Sequence, residues 1–527
     1  MPKAKANFWQ ALSYEVVSFV KSFFRNYNRM GAMTDEVKEG EETVEVWLAY
    51  GRDQSQVIRS LINNDFTPVT GVAIDLKLVA GGTLLPSILS GKGPDVYIGI
   101  GQGDVINYAI RGALLPIDDM KDFDEALTSF NDAAMIVLGI TGADGVFRTY
   151  GLPETQAFNM MFVREDILAE LDIEIPKTWD AVLEAIPVLQ ANNMQIGMHT
   201  DYKVFLYQMD GELYADDGMR INLDSNVALN AFNTMCNMFT MYSFPYKYDF
   251  ANRFRTGEMP IGFATYNGTY NQLKVFATEI EGLWGFYPMP GYYNEETGAL
   301  NNVSVSTVSA IVMIKGCQDK EGAWEFMKWH AGAQCQIDYS NEMVALIGPS
   351  AKHATANIEA LASLPWTNEE YTQLKAQFDN LASIPNYPGS YIIDRYTNFA
   401  FLDAYNEGAD PVEELRRYII TINKEITRKR NEFGLEVLED GQTLAQKRMA
   451  QALDELNAIK EGSSYSASYD SVYQRAIDTI EDGECEDYAA LRATAAALGE
   501  ANATLFENVI KYLNTAADSL EKYELYK

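Results

Sequence analysis

The side chains that could do covalent or metal chemistry are few in this sequence, and they are scattered. Its three histidines, His199, His330 and His353, each stand alone, and Cys236, Cys317, Cys335 and Cys485 form no CxxC pair. Zinc sites and Cys–His nucleophiles need such groups at short or matched spacings, so neither is expected. No GxSxG turn occurs for a serine hydrolase. A glycosidase needs two carboxylates about 5 to 10 Å apart across the bond, and among 74 acidic residues no motif singles out such a pair. The run Gly99-Ile-Gly-Gln-Gly-Asp104 invites a phosphate-cradle reading, but its glycines miss the GxGxxG spacing and no P-loop Lys or Ser/Thr follows. It reads as a tight strand-to-helix turn.

What remains is chemistry of hydrogen bonding and stacking. Tyr50 and Arg52 flank Gly51 at the end of a strand pattern. A guanidinium donates a fork of hydrogen bonds to vicinal hydroxyls, and a tyrosine ring stacks on an apolar face; the plain alternative is a solvated loop. Gln102 and Asp104 sit at the next such turn. Glu154 and Gln156 are polar residues within an otherwise apolar extended run. Burying them unpartnered costs roughly 1–3 kcal/mol each, so a ligand or another part of the protein must bond them. Tyr207, Gln208, Tyr266, Asn267 and Trp284 supply an aromatic platform with polar neighbours, Tyr266 ending a strand and Trp284 being equally readable as core. Glu342 and Arg395 are candidates to close over a ligand, or to pair on the surface. Aromatic faces opposite a polar wall suit pyranose rings, which carry both C–H faces and equatorial hydroxyls.

The elements that must position these residues are legible in outline. Thr43–Tyr50, Ala73–Val79 and Asp95–Ile100 read as strands separated by helices at Gln54–Asn64 and Leu84–Leu89. Alternation of this kind gives a parallel sheet with right-handed crossovers and binding loops at the carboxyl ends of strands. From Tyr150 a long extended stretch, Gly151–Arg164, leads to a second α/β unit, in which Thr178 is a helix N-cap and Asn222–Ser225 starts another helix. Met259–Tyr266 reads as a strand, and Val303–Ile314 as a buried strand returning to the first sheet. Beyond Leu435 the composition turns to Ala, Glu, Leu and Asp, which reads as two or three amphipathic helices broken near Gly462–Ser468 and Gly483. Apolar stripes at Leu444, Met449, Leu453, Leu456 and at Leu491, Leu498, Leu505, Val509, Leu513 should dock on the outside of the protein beside Ala404–Tyr418.

At 527 residues at least two compact units are expected. A formal charge of -33 and pI near 4.4 exclude a phosphate-backbone partner and disfavour an anionic membrane surface. Phe8–Phe24 is apolar but interrupted by Glu15 and Lys21 and followed by no cleavage site, so it reads as an amphipathic helix with Trp9, Leu12, Val16 and Phe19 on one face. An export signal and anchor are expected outside this chain.

Seven segments in order carry a family resemblance: Gly93–Tyr97, Asn107–Asp118, Gly151–Thr155 running to Val163–Ile167, Pro176–Asp180, Phe254–Gly262, Pro288–Gly291 and Ala323–Trp329. Over about residues 43 to 435 the chain resembles the extracellular solute-binding proteins of carbohydrate ABC importers, of the maltose-binding-protein-like class. It is similar to a long Gram-positive subgroup whose module ends near Glu425–Leu435. The resemblance implies an α/β, two-lobed periplasmic-binding-protein-like clamp, with discontinuous lobes of mixed, mainly parallel sheets and an α-helical C-terminal appendage. The expected division is residues 1–42 as helix and acidic linker, 43–150 with 303–365 as the first lobe, 151–302 with 366–435 as the second, and 436–527 as the appendage. It also implies an extracellular, surface-attached, monomeric protein that binds an oligosaccharide by hinge closure, uses no cofactor and no catalysis, and partners ABC permease subunits. The rival is a surface sensor or adhesin reporting a sugar to a partner.

Overall fold

The structure is a computed structural model and describes residues 43–294, 297–348, 351–439, 442–481 and 487–525. The expected N-terminal helix at Phe8–Phe24 and Cys485 lie outside the described residues. The elements used below are β1 (Thr43–Leu48), α1 (Arg52–Leu61), β2 (Ala73–Leu78), β3 (Val96–Gly101), α2 (Gln102–Ile110) and β4 (Gly151–Arg164). They continue with α3 (Trp179–Ala191), β5 (Ile196–Gly197), α4 (Tyr202–Gln208), α5 (Asn226–Thr240), β6 (Ile261–Thr265), α6 (Tyr266–Phe276) and β7 (Trp284–Tyr287). Next come β8 (Ser304–Met313), α7 (Lys320–Ala331), α8 (Ala333–Ile347), α9 (Asn368–Phe378), β9 (Leu381–Ser383), α10 (Ile393–Glu407) and α11 (Pro411–Glu432). The C-terminal helices are α12 (Leu444–Glu461), α13 (Asp470–Glu481), α14 (Tyr488–Asn502) and α15 (Glu507–Leu525). The described residues divide into two compact units, one of those within 43–159, 265–286 and 306–386, the other of those within 160–264, 287–305 and 387–525.

In the first unit the strands lie in the order β2-β1-β3-β8-β4, with β9 beside β8. β1 runs parallel to β2 and β3, and β8 antiparallel to both β3 and β4. Alternation along each strand divides two cores between the faces of this sheet. Val44, Val46, Leu48, Val96, Ile98, Ile311 and Met313 point to the face covered by α1, α7 and α8, where Phe66, Trp324 and Phe326 fill the space. Tyr97, Ile100, Val308, Ala310 and Val312 point to the other face and pack with Val105 and Ala109 of α2. A sheet covered on both faces carries apolar residues on both, as Val96–Ile98 and Ile311–Met313 do, while Glu45, Asp75 and Lys77 are half-buried on β1 and β2. The register shifts at Gly99 of β3 and at Glu154 of β4: Ser309 pairs with Thr155 and Ala310 with Pro153, so Glu154 is the extra residue of a β-bulge.

In the second unit β4 from Met160 onward, β6 and β5 lie side by side, β6 parallel to β5. Trp179 opens α3 behind the Thr178 cap, whose hydroxyl accepts the Ala181 N–H at 3.2 Å. Its indole is 1% exposed and packs against Phe205 and Phe263, with centroids 4.6 and 5.0 Å away. The stretch Ala404–Tyr418 spans two helices, α10 and α11, parted at Gly408, whose φ of 70° suits the turn.

The C-terminal segment is four helices, where two or three were expected. Leu456, Ile480, Leu491, Leu498, Phe506, Val509 and Leu513 meet in a core of their own, with Ala452, Ala476, Ala495, Ala516 and Ala517 letting the backbones approach. Among its described residues no large apolar side chain is exposed. Asp216 joins the bundle to its unit: Oδ1 accepts the Leu444 N–H at 3.3 Å and the Ser519 hydroxyl at 3.4 Å, while Arg220 holds Oδ2 at 3.1 Å. Asp216, Asp217 and Gly218 all adopt positive φ, between 53° and 73°, which turns the Asp216 carboxylate away from its own backbone run. These bonds go to the 216–220 turn, and none of them involves Ala404–Tyr418, beside which docking was expected.

A fully buried leucine removed from such a core costs about 2–5 kcal/mol. Leu513→Ala should therefore abolish slow amide exchange in α12 and α15 while β1 and β3 keep theirs. Unchanged protection in α12 would show that the bundle has no cooperative core.

Candidate functional site

In the first unit the Tyr50 ring lies over Gly99, whose φ is 80°; a Cβ there would stand 2.6 Å from the ring, so the glycine is what admits it. Its hydroxyl donates to Glu154. Burial pushes the Tyr50 pKa well up, and the Glu154 charge adds to this. Glu154 is 2% exposed and also bonds His330 Nε2 at 3.1 Å and Ser309 Oγ at 3.4 Å. Burial raises its carboxyl pKa, but the His330 hydrogen bond and charge, with His353 and Tyr50, outweigh it and hold the pKa below the usual 4.5. The structure thus brings Tyr50 and Glu154 together, each serving the other. Arg52 is exposed at the start of α1.

Gln102 accepts the Val308 N–H at 2.7 Å, tying the start of α2 to β8. Asp104 stands exposed in the first turn of α2, where the partial burial of its carboxyl raises its pKa. Gln156 is fully buried and bonds Asn131 at 3.0 and 3.2 Å and Ser306 Oγ at 2.9 Å. Ser306 in turn meets Ser383 of β9 at 2.6 Å. Both Gln156 amide atoms are therefore in use inside the first unit.

Tyr266 does not end a strand. It opens α6, is 1% exposed and stacks on Phe158 at 4.5 Å; among the described residues its hydroxyl has no hydrogen-bond partner. Asn267 is half-buried beside it. Trp284 is half-buried edge-on to Tyr270 at 5.8 Å, with Lys274 5.6 Å from its ring. Tyr270 itself leads to Lys352, whose ammonium lies 4.1 Å from the Trp366 ring centroid and 2.9 Å from the Tyr270 hydroxyl. Glu342, half-buried on α8, has its pKa raised by burial and by Asp65 and Asp338.

In the second unit Gln208 is spent on structure. Oε1 accepts Trp179 Nε1–H at 2.6 Å, and Nε2 donates to the Pro290 and Val303 carbonyls at 2.9 Å each. The Tyr207 side chain is half-buried, and burial raises its pKa. Arg395 lies elsewhere in this unit, on the wall of a cavity of about 580 Å³. The start of α4 supplies Asp201, Tyr202 and Lys203, α5 supplies Phe232 and Met235, and α10 supplies Asp394, Arg395, Asn398 and Phe401. Asp201 caps α4 by accepting the Lys203 N–H at 3.1 Å. Burial raises its pKa against the pull of Lys203. The Lys203 ammonium reaches Asp394 at 2.6 Å. Tyr202 is 4% exposed, and its hydroxyl has no hydrogen-bond partner among the described residues. The two acids and two bases balance in charge, and the aromatic surfaces lie among hydrogen-bonding groups of both senses. Of this set the sequence analysis found Arg395 alone. The Asp-Tyr-Lys run capping an apolar helix was the signal for the rest.

Comparison with known proteins places these findings. The description "Bacterial extracellular solute-binding protein" matches residues 51–336. Among solved structures, the sugar-binding protein MalE of Xanthomonas citri is 18% identical, with a TM-score of 0.62 over 75% of this chain and 100% of that one. MalE of Listeria monocytogenes, solved in complex with maltose, is 14% identical, with a TM-score of 0.59 over 73% and 98%. An ABC transporter solute-binding protein of Thermotoga lettingae, bound with alpha-D-tagatose, is 16% identical with a TM-score of 0.57 over 73% and 100%. No curated protein matches the chain. The fold is therefore of the periplasmic-binding-protein type, as the sequence led one to expect.

Gln208→Ala should strand the Trp179 indole N–H and two carbonyls, at about 1–3 kcal/mol for each group left unsatisfied. Urea denaturation should report a loss of at least 2 kcal/mol, and a loss under about 0.5 kcal/mol would return Gln208 to the list of ligand-contacting residues.

Proposed function

The chain belongs to the bacterial extracellular solute-binding proteins, and on that premise we propose that it captures a carbohydrate outside the cell and delivers it unchanged to the permease subunits of an ABC importer. The observation that carries the carbohydrate reading is the second unit's cavity. Its roughly 580 Å³ falls within the roughly 300–1,000 Å³ usual for small-molecule sites. Tyr202, Phe232 and Phe401 offer apolar surface, Asp201 and Asp394 accept hydrogen bonds, and Lys203 and Arg395 donate them. A neutral polyhydroxylated ring satisfies both senses of hydrogen bond at once and leaves its C–H face for the aromatics. Saccharides named with the maltose- and tagatose-bound relatives point the same way.

In this reading the protein works as a monomer attached at the cell surface, on an oligosaccharide. Closure of the two units on the ligand signals occupancy to the permease, because contacts made only in the closed form supply the free energy that favours it. Arg52, Asp104, Tyr207, Asn267, Trp284 and Glu342 are the remaining candidates for contact with such a ligand, Tyr50 being engaged with Glu154. Glu154, Gln156, Gln208, Gln102 and Tyr266 are proposed to act behind them, since their polar groups are bonded within a unit or, for Tyr266, buried against Phe158.

Calorimetry of the full chain against maltose, maltotriose, mannobiose and cellobiose should find at least one ligand. Arg395→Ala should then weaken it about tenfold, or about 1.4 kcal/mol, with little change in melting temperature, and Asp201→Ala should weaken it similarly while also lowering the melting temperature, because Asp201 caps α4. Binding that survives both substitutions would remove the cavity from the site. The bound sugar should also be recovered intact after prolonged incubation, and the radius of gyration in solution should fall on binding. Cleaved product in excess over protein would instead make the protein a glycosidase.

A further inference from the structure

The first unit contains a titratable cluster that sugar binding does not explain. At the bulge in β4 the Glu154 side chain is buried on the side of α7. His330, on α7, meets it at 3.1 Å, and Tyr50 and Ser309 complete its shell. The segment carrying His353 is laced to the same stretch of strand: Ala356 N–H donates to the Glu154 carbonyl at 3.0 Å, and Gln156 N–H to the Ala354 carbonyl at 2.9 Å. The His353 ring stands edge-on to Tyr339 of α8 at 4.9 Å, and its Nε2 is shut off from solvent with no hydrogen-bond partner among the described residues. His330 Nδ1 is in the same condition, with its ring stacked on Phe326. A proton added to His353 thus creates a charge with no acceptor at Nε2, and a proton added to Glu154 takes away the negative charge that Tyr50 and Ser309 meet at Oε2 and His330 meets at Oε1.

We propose that Glu154, His330 and His353 form an acid-operated latch inside the first unit: acidification charges His353 and neutralises Glu154, releasing the β4 bulge and the 353–356 segment from α7 and α8. The other titratable groups facing the cluster are Tyr50 from the β1 loop, Tyr97 from β3, and Cys335 and Tyr339 from α8, with Asp65 and Asp338 acting on Cys335 from farther out. Burial pushes the Cys335 thiol and the three phenols upward, so all four stay neutral on the acid side. Burial, reinforced by His330 and opposed by Glu154, lowers the His353 pKa from 6.5 to about 4. The unfolded chain therefore binds the extra proton first, and stability present above pH 6.5 is lost as the pH falls toward 4. Glu154, held below 4.5, keeps its contribution above that value and loses it as the pH falls further. The two steps have the same sign.

Because the chain has only three histidines, and His199 lies in the second unit, proton NMR of the histidine rings separates the cases. Resonances are assigned in the full chain with H199Q, H330Q and H353Q. His353 is expected to titrate with a midpoint at or below about pH 5, with amide protection in β4 and β8 falling at least tenfold over the same interval while the α12–α15 bundle stays protected. H353Q should cut the fall in Tm between pH 7 and pH 5 to about half, and E154Q should remove the further fall below pH 4.5. A His353 midpoint near 6.5 with β4 protection unchanged, or an H353Q protein with the full loss of Tm, would overturn the latch. Should either variant fail to fold, the titration of the native chain decides by itself.

Discussion

Strand β4 is buried along most of its length, and every polar side chain it carries must find its partner inside the protein. Burying an unpaired carboxylate is far more costly than any single packing contact is favourable, so Glu154 can exist there only with Tyr50, His330 and Ser309 around it. Gln156 imposes the same demand and meets it with Asn131 and Ser306, and Arg164 meets it in the second unit with Asp166 and the Phe254 and Arg255 carbonyls. Much else in the first unit is set by this. The β1 loop is held where Tyr50 can reach Glu154, Gly99 must lack a side chain to let that ring pass, and β8 carries serines at 306 and 309 where a buried strand would ordinarily carry apolar residues.

The sequence made that demand visible and hid its solution. Two polar residues in an apolar extended run say that something must bond them; they do not say that the partners stand about 150 residues away on β8, or on α7. Strands β1 to β3 and the Thr178 and Ser225 caps were readable because each rests on local periodicity and a local hydrogen bond. Tyr266 was misplaced for the complementary reason. The apolar run ending at that residue continues the strand pattern without a break, and α6 begins there with no side-chain cap to mark it. The fourth C-terminal helix was missed because α14 ends at Asn502, with neither Gly nor Pro to signal it. Asn502 closes the turn with its own side chain, accepting the Leu505 N–H at 3.0 Å and donating to the Tyr469 hydroxyl at 3.1 Å.

Charge works at two scales in this protein. A formal charge of -33 keeps the chain soluble and repels polyanions, but it exerts no steering on a neutral ligand. Inside the second unit's cavity the balance is local. Lys203 is already matched to Asp394, and Asp201 is already engaged in capping α4, so neither acid has to be paired by a ligand. A hydroxyl-bearing ligand bound there as proposed would meet donors and acceptors that are fixed in place beforehand, which reduces the ordering cost of binding. The residue that found this site in the sequence, Arg395, did so through its chemistry alone. Its partners come from α4 and α5, about 160 to 195 residues earlier in the chain, and only the packing of α10 against them makes one surface.

The C-terminal bundle follows a different logic, because its core is closed. With Leu456, Leu498, Phe506 and Leu513 buried against one another and no large apolar side chain exposed among its described residues, it needs no neighbour for stability. Its tie to the rest of the second unit is polar: Asp216 with Leu444 and Ser519, and Glu436 with Lys447, Arg448 and the Arg430 guanidinium at its carbonyl. Arg430 also reaches the Gly218 carbonyl, and a Cβ at Gly218 would collide with the Tyr387 ring at 2.5 Å. One short turn of three left-handed residues therefore receives the bundle on one side and Tyr387 on the other. An attachment made of hydrogen bonds at a fixed turn orients a module, and Leu444, buried outside the bundle's core beside its own N–H bond to Asp216, adds apolar burial at the same end of α12.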